Sequence, residues 1–63
     1  MVGKLAVVMD DHVGVDDNLR SYVLRPGDSG LVIYKEYQSQ TVGLLMYGQI
    51  VYVEMKSVKY LED

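Results

Sequence analysis

A chain of 63 residues with 49% hydrophobic residues allows one domain, read as a single unit over 1–63, whose small core makes it marginally stable. A net charge of −3 disfavours broad phosphate-backbone binding, and the lack of cysteine excludes disulfides and cysteine-based zinc sites. No run approaches the roughly 20 apolar residues of a membrane-spanning helix, and the opening MVGKLAVVMDDH meets aspartate too soon for a signal peptide. The expected location is cytoplasmic.

In chain order, Lys4–Met9 (KLAVVM) is short, β-branched and bounded by Gly3 and Asp10-Asp11, which predicts a strand. Asp10–Asn18 (DDHVGVDDN) is rich in turn formers and predicts a loop. Leu19–Leu24 (LRSYVL) fits a strand or a helical turn, with the strand favoured. In Arg25–Gly30 (RPGDSG), Pro26 fixes φ and Gly27 supplies φ > 0, which predicts a chain reversal. Three apolar runs follow, Leu31–Tyr37, Thr41–Tyr47 and Ile50–Met55, broken by Gln38-Ser39-Gln40 and by Gly48-Gln49. They read as an antiparallel meander with a two-residue turn at Gly48-Gln49. Lys56-Ser57 is a connector, Val58–Leu61 a brief strand or 3₁₀ turn, and Glu62-Asp63 a tail.

Side chains alternate between the faces of a sheet, so the meander divides into two sets. With a three-residue loop at 38–40, one face holds Val32, Tyr34, Val42, Leu44, Met46, Val51, Val53 and Met55. The other holds Leu31, Ile33, Leu45, Tyr47, Ile50 and Tyr52, with Lys35 beside them. A four-residue loop would exchange the assignment of the first strand. A one-sided sheet should be polar on its outer face. Here both faces are apolar, so the second needs a cover: the run Leu5–Met9, a second copy, or a partner protein.

The segment from Leu19 to Glu62 resembles a small SH3-like β-barrel. RPGDSGLVI is similar to the Gly-Asp-x-Gly-x-Val opening of KOW-type members. GQIVYVEMKSVKYLED is similar to a closing strand, short connector and final V-x-Y-L-E strand. The resemblance implies an all-β fold, a small SH3-like barrel of five or six short antiparallel strands. Gly27, Asp28, Gly30 and Val32 would form the opening turn and first core position, and Val58 and Leu61 would close the barrel. The chain has no tryptophan for a proline-binding groove and lacks the basic surface of KOW modules that touch RNA.

Asp10, Asp11, His12, Asp16 and Asp17 are the one cluster of metal-ligand residue types, but their spacing fits no calcium loop and reads as a solvated acidic loop. No serine pairs with His12 at nucleophile spacing. The expectation is a non-enzymatic protein-binding or accessory module, with no cofactor and no metal. Its partner is another protein or a second copy, met at Leu31, Ile33, Leu45, Tyr47, Ile50 and Tyr52. The alternative is a KOW-like nucleic-acid or ribonucleoprotein binder using Arg20, Arg25, Lys35, Lys56 and Lys59.

Overall fold

The computed structural model describes residues 3–61. The expected tail, Glu62-Asp63, lies outside the described residues. Among the described residues seven strands form: β1 (Leu5–Val8), β2 (His12–Val15), β3 (Ser21–Leu24), β4 (Ser29–Glu36), β5 (Thr41–Met46), β6 (Gln49–Glu54) and β7 (Val58–Tyr60). A 3₁₀ turn, Met55–Ser57, precedes β7. All pairings are antiparallel, in one sheet of order β3-β2-β6-β5-β4-β1-β7. The fold is therefore all-β, with seven strands rather than five or six. Among the described residues no ladder joins β3 to β7, so the sheet they form has two open edges and is not closed into a barrel. Among the described residues no helix is long and apolar enough to cross a membrane.

The sheet curls around its inner face. Leu24 of β3 and Ala6 and Val8 of β1 share one buried cluster with Val32, Val42, Leu44, Met46, Val51 and Val53, although β3 and β1 are far apart in strand order. Backbone bonds fasten the curl: Gly27 N–H donates to the Val8 carbonyl (2.9 Å) and Val8 N–H to the Asp28 carbonyl (2.7 Å). Each fully buried valine or leucine contributes about 1.5–3 kcal/mol before conformational entropy is subtracted. A domain this small nets only about 3–5 kcal/mol from its core, so every member matters.

The Asp10–Asn18 segment, expected as a loop, contains β2. The aspartates occupy its ends, while His12-Val13-Gly14-Val15 alternates, with Gly14 buried against the core and Val13 and Val15 outward. Of Leu19–Leu24, only Ser21–Leu24 is strand; Leu19 takes a left-handed φ of 63° in the β2–β3 turn.

The β5–β6 turn sits one residue earlier than expected. Met46 pairs with Gln49, so the tip is Tyr47-Gly48 rather than Gly48-Gln49. Both tip residues have positive φ (54° and 71°), as a type I′ turn requires. Gly48→Val is expected to cost about 1–2 kcal/mol from backbone strain alone, because a Cβ there meets nothing within 4 Å. In a domain of this size that lowers the melting temperature by roughly 4–8 °C per kcal/mol. An unchanged melting temperature would contradict the turn.

Strand β4 departs from a regular register twice. Glu36 pairs with Thr41, so the loop has four residues, Tyr37–Gln40, which exchanges the faces of β4. A bulge between Val32 and Tyr34 exchanges them back. Leu31 and Val32 thus keep their expected faces, opposite Leu45 and Leu44. Tyr34, expected in the core, pairs with Gly43 on the outer face and is 45% exposed. Lys35, expected outward, pairs with core Val42 and places its Nζ 4.1 Å from the Tyr60 ring centroid.

Strand β1 does not cover the outer face. It pairs side by side with β4 and β7, giving Ala6 and Val8 to the core and Leu5 to the outside.

Candidate functional site

The outer face of the curled sheet carries two apolar rows. Residues directly opposite across a ladder point to the same face. Leu5, Leu31, Leu45 and Ile50 line up in this way across β1, β4, β5 and β6. Tyr34, Gly43, Tyr52 and Val15 line up across β4, β5, β6 and β2. Leu5, Leu45 and Tyr34 are each about half exposed (50%, 45% and 45%), and Leu31 and Val15 both 37%. Eight positions in two adjacent rows form one continuous patch on the order of a few hundred Å².

Gly43 shapes the centre of this patch. A Cβ there would lie 3.1 Å from Tyr34 Cβ and 3.2 Å from Tyr52 Cε1, so the missing side chain is the slot into which the two tyrosines lean. Their rings meet edge to face, with centroids 5.8 Å apart at 90°. The Asp17 carboxylate beside the Tyr52 hydroxyl pushes its pKa up, aided by partial burial, so the phenol stays neutral at physiological pH.

Five of the six residues expected at a contact surface, Leu31, Ile33, Leu45, Ile50 and Tyr52, lie on the strands that carry this face, Ile33 half-buried at the β4 bulge. Tyr47 does not join them. At the hairpin tip its ring stacks on Tyr22 (5.9 Å, 7°) and its hydroxyl donates to Asp28 Oδ2 at 3.3 Å. Sequence reasoning missed Leu5, Val15 and Tyr34. A glycine inside β5, which favours a bulky aromatic neighbour to fill its gap, was the available signal for Tyr34.

The acidic residues do not converge. Among the described residues no group of three or more His, Asp or Glu is placed to hold a metal ion. His12 Nδ1 lies 3.3 Å from Asp10 Oδ1. Asp16 is buried, only 3% exposed, and is spent on structure. Its Oδ1 accepts from the N–H groups of Asn18 (2.8 Å) and Arg20 (2.9 Å), and its Oδ2 from the Tyr22 hydroxyl (2.8 Å). These bonds hold the β2–β3 turn with Leu19 in its left-handed conformation. The Arg20 N–H foremost, with the Tyr22 hydroxyl and the Asn18 N–H, holds the Asp16 pKa below the usual carboxylate range, against the opposing effect of burial.

A folded pKa below the unfolded one means stability that is present above the unfolded value, about 4, and lost as pH falls through the folded value. Asp16→Asn is therefore expected to melt lower than wild type near neutral pH, with the gap closing in acid. Melting curves of both proteins across that range test this; a gap independent of pH would mean that the Asp16 charge contributes nothing.

The basic residues of the alternative reading are dispersed: Arg20 and Arg25 flank β3, Lys35 lies over Tyr60, Lys56 pairs with Glu54 (3.6 Å) in the 3₁₀ turn, and Lys59 is in β7. Comparison with known proteins returned no match: no family model, no curated protein and no solved structure aligns significantly with this chain.

Proposed function

We propose that the chain is a small, non-enzymatic protein-binding module of SH3-like architecture that docks a protein partner on its outer sheet face. The observation that carries this reading is the pair of apolar rows across β1, β4, β5, β6 and β2, left uncovered by any other described part of the chain. Such a contiguous patch on so small a domain favours association, and an aromatic centre with aliphatic surroundings suits a protein interface. The SH3-like reading draws support from the order of β6, the 3₁₀ turn and β7, and from the pairing of first with last strand. The left-handed Gly27 (φ 101°) in the turn that opens β4 agrees with it.

The test is capture of partners from the native lysate, with and without nuclease, beside sedimentation of the purified protein across concentrations. Nuclease-resistant capture, or self-association, is the expected result. Specific nucleic-acid binding is expected to be weak near physiological salt, because the net charge is −3. Submicromolar binding to a defined RNA or DNA, falling steeply with added salt, would reverse the assignment.

A further inference from the structure

We propose that the open edge of β3 is a second contact site, which accepts an extended acidic segment of a partner protein by strand addition. It adjoins the end of the second apolar row, where Val15 pairs with Ser21, but it binds through the main-chain edge of β3 rather than the outer face, so either site can fail alone. The observation begins with hydrogen-bond parity. In an antiparallel pair, residues alternate between bonded and non-bonded positions. Asp16 N–H donates to the Arg20 carbonyl (3.1 Å), which makes Gly14–Tyr22 and His12–Leu24 the bonded pairs of β2 and β3. Ser21 and Val23 therefore turn their N–H and C=O groups away from β2. No other described strand pairs with that edge. Beside it stand two outward valines, Val23 (71% exposed) and its partner Val13 (58%), which offer apolar contact to an added strand.

The charges choose the occupant. The only two arginines of the chain, Arg20 and Arg25, bracket β3; both are exposed, and neither forms an ion pair among the described residues. Of the carboxylates near β3, Asp16 is engaged as described, Asp28 Oδ2 accepts from the Arg25 N–H (3.0 Å) and the Tyr47 hydroxyl, and Asp17 lies beside the Tyr52 hydroxyl, while exposed Asp11 stands one residue before the His12–Leu24 pair. A second copy of β3 would bring arginines rather than carboxylates to the ends of the added strand, so it lacks the charge that complements this edge. A strand with carboxylates at its ends meets both guanidiniums favourably, while main-chain bonds supply the rest. The opposite edge, β7, has three residues, one of them Lys59, and offers less.

The probe is a short synthetic peptide of alternating valine and threonine with glutamate at both ends; its counterpart has lysine at both ends. Titrated into the full chain, the glutamate peptide is expected to slow hydrogen exchange of the Ser21 and Val23 amides and to bind more tightly than the lysine peptide. Arg20→Glu with Arg25→Glu is expected to weaken the glutamate peptide by about tenfold, as two exposed ion pairs become repulsions, and to reverse the preference. Val23→Pro removes an outward N–H that no bond to β2 uses, and should block both peptides. Equal binding of the two peptides, protection elsewhere than Ser21 and Val23, no binding at millimolar peptide, or pairing of the free protein through β3 would each overturn the proposal.

Discussion

Gly14→Val is expected to unfold most of the chain at room temperature. A Cβ at Gly14 would lie 2.6 Å from Val51 Cγ1, 3.1 Å from Val53 Cγ1 and 3.2 Å from Leu24 Cδ1. The first distance is below any real contact, and the offending atoms belong to residues that cannot swing away. Valine is stiff at χ1, and Val51 and Leu24 are fully buried. Overpacking of a well-filled core costs about 1–3 kcal/mol and sometimes more. Here the insertion also prises β2 from β6, to which it is joined by a single described pair, Val15–Tyr52. Against a core worth roughly 3–5 kcal/mol net, that is most of the stability available. Val13→Thr, one residue away but outward and 58% exposed, is the control and should stay within about 0.5 kcal/mol of wild type. Urea unfolding followed by circular dichroism measures both. A Gly14→Val protein with a wild-type midpoint would place β2 away from the core.

The same residue shows why the N-terminal third was hard to read. Strands were legible where apolar residues run together between turn formers, as in β1, β4, β5 and β6. In β2 the inward position is a glycine because the core leaves no room for a side chain, so the alternation loses its apolar half and the surrounding aspartates dominate. The inner and outer sets of β5 and β6 survived a turn misplaced by one residue, since sliding a two-residue tip shifts partners without exchanging faces. In β4, two one-residue irregularities cancel up to Val32 and not beyond it, which is why Leu31 was placed correctly and Tyr34 and Lys35 were not. A bulge leaves no composition mark in a run such as LVIYKEY. Tyr47 was lost for another reason: its left-handed turn position aims it at Tyr22 and Asp28, partners remote in sequence.

Leu45→Lys combined with Tyr52→Glu is expected to abolish docking on the outer face and to leave the chain folded. Leu45 is central in its row, between Leu31 and Ile50, and Tyr52 faces Gly43 in the next. An ammonium and a carboxylate there would have to be desolvated beneath a partner without a counter-charge shaped for them. Interfaces concentrate their energy in a few central aromatic and aliphatic anchors, and loss of one such anchor costs about 2 kcal/mol or more, roughly thirtyfold in affinity. The two changes cancel in charge, +1 and −1, so the net charge stays at −3 and long-range attraction to a partner is unaltered. The fold should persist because neither side chain belongs to the buried cluster. The loss inside the monomer is the edge-to-face contact with Tyr34, worth about 0.5–1.5 kcal/mol, and some repulsion between the new glutamate and Asp17. Leu45→Lys alone avoids that repulsion and serves where the pair proves too unstable. Sedimentation and partner capture, each run beside a melting curve, give the result. A folded variant that still captures every partner would move the docking surface off this face. If Leu45→Lys alone unfolds the chain, the face is part of the core, and the exposure of its two rows does not persist in solution.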